Sequence, residues 1–141
     1  MREILFRGKR VDNGKWVKGY LTKSHRPNRY HSCWCIEVEE VLMQYRQGTE
    51  YTMQPYEVIP ESVSEFTGLT DKNGNKIFEG DIVCFHGELY SEIFSIVFAD
   101  GCFRLGTKNG YSYTLHNLHS ALKVIGNIHD NPELLKGGVQ E

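Results

Sequence analysis

Short runs of alternating apolar and polar residues, punctuated by Asn-Gly and Asp-Gly dipeptides, dominate this chain. Alternation with a period of two puts successive side chains on opposite faces of an extended strand. Over residues 3–21, Ile4 and Phe6 alternate with Leu5 and Arg7. Val11 to Trp16 supplies a turn at Asn13-Gly14, and Trp16 to Leu21 returns, which predicts a first hairpin. Residues 22–32, polar and carrying Pro27 and Asn28, read as a loop. His31 to Val38 alternates as a strand, with His31, Cys33 and Cys35 on one face and Ser32, Trp34 and Ile36 on the other. Val41-Leu42-Met43 is a further apolar patch, and 37–47 fits a strand better than a helix stopped at Gly48. Pro55 restricts the strand expected over Tyr51 to Ile59 to an edge or a bend.

Ser62-Val63-Ser64-Glu65 has the form of a capping box, with room for a single helical or 3₁₀ turn between Pro60 and Gly68. Next comes the stretch Phe66 to Val83. Its Asn73-Gly74 suits a two-residue type I′ turn, in which both central residues need positive φ, and it feeds the strand that begins Gly80-Asp81-Ile82-Val83. Ile93 to Phe98 is apolar on both faces except at Ser95, which predicts the most buried strand. Asp100-Gly101 and Asn109-Gly110 turn the chain twice more, and Leu122 to Ile128 is the last strand. Asn131-Pro132-Glu133-Leu134-Leu135 then reads as a short helix with Pro at its first position.

Four such turns in one small chain predict a mostly β, antiparallel fold. The expected arrangement is a single domain over 1–141 with a small antiparallel β-barrel, SH3-like or similar, over 61–129. Residues 1–60 add an N-terminal β extension, and 130–136 form a short C-terminal helical turn.

Three segments resemble the YopX-like proteins of phages and prophages. They are Arg2-Glu3-Ile4-x-Phe6-Arg7, the stretch from Phe66-Thr67-Gly68-Leu69 through Gly80-Asp81-Ile82-Val83, and Val124 to Leu135. The similarity runs in order along most of the chain and is least clear over 22–60. It implies a mostly β fold, residence in the cytoplasm of a bacterial host, and self-association. It implies no catalytic residue and no cofactor.

Composition adds little except in its distribution of charge. The formal net charge is −2, yet residues 1–31 hold nine Lys or Arg against only two acids. Within that block Lys9, Arg10, Lys15, Lys18, Lys23, Arg26 and Arg29 form a candidate patch for an anionic partner, with Trp16, Tyr20, Tyr30 and Trp34 as stacking platforms. Three readings stay open: contact with nucleic acid, packing of the basic end of one copy on the acidic body of another, and a solvated face. A host or phage protein is a further candidate partner.

The chemistry candidates are sparse. His31, Cys33 and Cys35 would point the same way from a strand, and imidazole with thiolate suits zinc, but Cys-x-Cys lacks the usual zinc-knuckle spacing. Asp71, Glu79 and Asp81 could gather a cation, although turn and strand-start roles account for Asp71 and Asp81. No nucleophile elbow, His-Glu-x-x-His or phosphate-cradling glycine motif occurs, so neither an enzyme nor a cofactor is expected. The chain shows neither an apolar run of membrane-spanning length nor a signal-peptide core. A cytoplasmic location with reduced cysteines and no membrane partner is the expectation.

Overall fold

A computed structural model describes residues 2–25 and 32–136. Its packing divides the chain into two compact units, one running over Glu3–Glu65 and the other from Phe66 onward together with Arg2.

The first unit is an antiparallel sheet of β1 (Phe6–Lys9), β2 (Trp16–His25), β3 (Ser32–Tyr45), β4 (Gly48–Glu57) and the opening residues of β5 (Ser64–Thr70). The strand order is β4-β3-β2-β1-β5, so β4 lies at an edge, the place that Pro55 permits. Residues 37–45 are strand. The pairing of β2 with β3 is close: a Cβ on Gly19 would lie 2.1 Å from the Glu37 carbonyl oxygen. The buried apolar set among the described residues is small, consisting of Cys33, Cys35, Ile36 and Val58.

The expected capping box does not form. The 3₁₀ turn spans Pro60–Ser62 with Ile59 as its cap, and β5 has begun by Ser64. Pro60 is preset for the first helical position and starts the turn early. Ser62 therefore ends the turn. Its hydroxyl donates to the Ile59 carbonyl at 2.6 Å and accepts the Lys9 N–H at 2.8 Å.

The second unit contains the rest of β5, then β6 (Lys76–Phe78), β7 (Asp81–His86), β8 (Ser91–Ala99), β9 (Cys102–Thr107) and β10 (Gly110–Thr114). A single helical turn, α1 (Leu115–Leu118), and β11 (Leu122–Asn127) follow, with 3₁₀ turns at His119–Ala121 and Pro132–Leu135. The sheet order is β10-β9-β8-β7-β11. Ile77, Val83, Phe94, Ile96, Leu105, Leu115 and Leu122 form its core. The strand Ile93 to Phe98 takes the central place, but it is not the most buried. Asp81, Ile82 and Val83 of β7 are all buried, whereas Phe98 at the end of β8 is 55% exposed.

Among the described residues no closed barrel forms, because β10 and β11 are the two open edges of the sheet. The chain between them goes into α1 and a 3₁₀ turn, and Leu115 and Leu118 of α1 pack with the core. The observed class is mostly β with two antiparallel sheets.

The turns separate into two kinds. Asp100 (φ 52°) and Gly101 (φ 79°) both take positive φ, the requirement of a type I′ turn. At Asn73-Gly74 only Gly74 does so (φ 82°). The Gly74 N–H donates to the Asp71 carbonyl at 3.0 Å, and the Asp71 N–H to the Asn75 carbonyl at 2.8 Å. That is the three-residue loop with a following glycine bulge, not the two-residue turn the dipeptide suggests. The Asp71 carboxylate decides the difference: its Oδ1 accepts the N–H of both Asn73 and Asn75 at 2.9 Å.

Candidate interaction surfaces

In the first unit, β3 and β4 extend as one long hairpin whose residues 41–51 are all exposed. Its sequence is unusual for a solvated arm. Val41 (60%), Leu42, Met43, Tyr45, Tyr51 and Met53 are all more than a third exposed. Val41 and Tyr51 are direct partners across the ladder, and the register slips between Val41 and Met43, so Leu42 sits in a bulge. Directly opposite residues share a face, so Val41 and Tyr51 form one apolar pair. Exposed apolar groups in contiguous runs mark interaction surfaces more often than isolated ones do.

The base of the arm is polar and ordered. The Arg10 guanidinium forms a two-pronged ion pair with Asp12, Nε to Oδ1 at 2.9 Å and Nη2 to Oδ2 at 2.6 Å, and lies 4.3 Å over the Tyr56 ring. The Arg10 hydrogen bond holds the Asp12 carboxyl below the usual carboxylate range. The Tyr56 hydroxyl donates to Glu40, and that bond raises the phenol's pKa.

The structure distributes the predicted basic patch. Lys9 is the ladder partner of Trp16, and its ammonium lies 5.5 Å from that ring; Arg7, opposite Lys18, covers the same ring at 4.9 Å. Lys9 and Lys18 therefore share a face. Lys23 pairs with Trp34, its ammonium 5.4 Å from the ring, and its odd position on β2 puts it on the face opposite Lys18. Lys15 is exposed in the turn before β2, and Arg10 is engaged by Asp12. Arg26 and Arg29 lie outside the described residues.

The charge surplus itself is local. Residues 3–65 carry nine basic and nine acidic side chains, a net charge of zero, because Glu37, Glu39, Glu40, Glu50 and Glu57 on β3 and β4 belong to the same unit as the basic block.

Of the metal candidates, Cys33 and Cys35 are buried with their sulfurs 3.7 Å apart, and His31 lies outside the described residues. Among the described residues no group of three His, Cys, Asp or Glu side chains is gathered in a way that would hold a metal. The acids of the central stretch do structural work. Burial pushes the Asp71 carboxyl up, but hydrogen bonds from the Val124, Asn75 and Asn73 N–H groups outweigh it and leave the pKa lowered. Asp81 accepts the Phe78 N–H at 2.8 Å. No helix among the described residues is long and apolar enough to cross a membrane.

Comparison with known proteins agrees with this architecture. A family model described as YopX protein matches residues 5–136. The crystal structure of protein EF1440 from Enterococcus faecalis is similar, with a TM-score of 0.60 and 24% identity, covering 96% of this chain and 99% of that one. At that identity the likeness concerns the fold. No curated protein matches.

Proposed function

The chain belongs to the YopX family, and from that premise we propose that it is a phage or prophage accessory protein, resident in the bacterial cytoplasm, that works by binding and self-association rather than by catalysis. One observation supports this reading above the rest: the exposed apolar run Val41 to Met53 on the β3–β4 arm, held at an open sheet edge. Each such side chain that leaves water on association contributes about 1.5–3 kcal/mol. An edge strand also offers unpaired backbone groups to a second strand. The partner is a second copy of the chain, with a host or phage protein as the other occupant of the same surface.

Sedimentation velocity across a concentration series tests it. An assembly larger than one chain is expected, and replacing Val41, Met43 and Tyr51 together with Ser should return it to a monomer with an unchanged far-UV spectrum. A wild-type chain that stays monomeric at high concentration would sink the self-association reading.

A second reading has the basic residues of the first hairpin contacting nucleic acid. Its support is the pairing of Lys9 with Trp16 and of Lys23 with Trp34, which combines charge and stacking. The zero net charge of that unit works against long-range attraction to phosphate, so this reading stands second. Binding to single- or double-stranded nucleic acid that weakens steeply with salt would promote it.

A further inference from the structure

A cleft of about 510 Å³ opens at the end of the second unit's core, away from every residue used by the self-association reading. Its size falls in the range of about 300–1,000 Å³ typical of small-ligand sites. The floor is apolar. Phe98 and Phe103 face each other across the β8–β9 ladder with ring centroids 5.1 Å apart, edge to face. Phe94 and Ile96, on the same face of β8 as Phe98, are buried, so the apolar face of that strand leaves the core at Phe98 and continues as the cleft floor. Leu69 and Phe103 pack against the core beside it.

The rim carries one guanidinium and one imidazole. Arg2 packs with this unit, its aliphatic stem about one van der Waals contact, 3.5 Å, from where a side chain on Gly68 would begin. His116, exposed, lies on the wall after β10. Asn117 donates its Nδ2 to the Thr114 hydroxyl at 2.9 Å, which fixes the orientation of its amide. From Phe66 onward, together with Arg2, the unit has nine acids against seven bases, yet no Asp or Glu lines the cleft. A cleft without acids in an acidic unit, aromatic below and with Arg2 and His116 at the rim, is complementary to a flat ring that carries a negative charge.

We propose that this cleft binds a small aromatic carboxylate, its ring against Phe98 and Phe103 and its carboxylate toward Arg2 and His116. The test uses the full chain, labelled with ¹⁵N and titrated with 2-naphthoate and, separately, with the uncharged 2-naphthalenemethanol. Saturable amide shifts at Gly101, Phe103 and Asn117 are expected with the acid, and binding of the alcohol should be roughly tenfold weaker, the value of one charge-assisted hydrogen bond. Arg2→Gln should close most of that gap, and Phe98→Ser should remove the shifts; both positions are exposed, so the rest of the spectrum should superimpose. Equal affinity for acid and alcohol overturns the proposal, leaving an apolar surface only. So do shifts that never saturate or that centre on other residues. The two-ligand comparison on the unmodified chain decides the matter on its own, and its failure would leave the sedimentation result untouched.

Discussion

The β5–β6 hairpin and the β3–β4 arm use the same antiparallel pairing to opposite ends. The first is short and tied down: Asp71 at its tip accepts three backbone N–H groups, including that of Val124 on β11 at 2.9 Å, and the Lys72 N–H donates to the Leu122 carbonyl. The second is long and leaves Val41 to Met53 in solvent. The wider units differ in the same way. Among the described residues, ten large apolar side chains are buried from Phe66 onward, whereas Glu3–Glu65 buries only Val58, Ile36 and two cysteines. Because burial of apolar surface is the main stabilising term, the second unit draws more on that term than the first, whose arm keeps its apolar side chains in solvent.

The largest effect should come from the core. Leu105→Ala removes a fully buried side chain and should cost about 3 kcal/mol in urea unfolding. A loss below about 1 kcal/mol would mean that the second unit is not the stable one. Next is Asp71→Asn, which puts an amide N–H group among the donors that the carboxylate now satisfies, at a cost of about 2 kcal/mol. The sign with pH follows from the lowered folded-state pKa. The contribution of Asp71 is complete above the ordinary carboxylate pKa and is lost as pH falls through the folded-state value. Unfolding curves between about pH 4 and pH 2 should therefore be flatter for Asp71→Asn than for the unmodified chain. Smallest of all, Val41→Ser, Met43→Ser and Tyr51→Ser should each change the stability of the dilute monomer by less than about 0.5 kcal/mol, because those side chains are exposed in it. A large loss there would show that the arm is packed and not available.

What the sequence revealed was whatever depends on near neighbours. The Asp100-Gly101 turn, the edge position of β4 and the alternation of Cys33 and Cys35 all follow from a few adjacent residues. The type of the Asn73-Gly74 turn did not follow, since a carboxylate two residues upstream competes for its N–H groups. The Ser62 motif misled because Pro60 sets the turn before the serine can cap it. The acids that offset the charge of the basic block were not apparent beside it, because five of the nine lie on β3 and β4, brought back by pairing that no local window contains. The open sheet was hidden for the same reason, since closure depends on whether β10 meets β11. The apolar residues of the arm were visible as a patch, but alternation gives the face of a side chain, not its exposure. The cleft left no trace in the sequence: Arg2, Phe98 and His116 share no motif.

The bond from Val124 to Asp71 also has a bearing on time. The two residues are separated by fifty-three positions, so during synthesis the carboxylate at the hairpin tip stays incompletely satisfied until nearly the whole chain has been made. Contacts of such long sequence separation form late and slowly. The second unit therefore cannot complete its core from a chain that stops before β11: Phe85 and Val83 would lack Leu122 and Val124, their partners across the ladder.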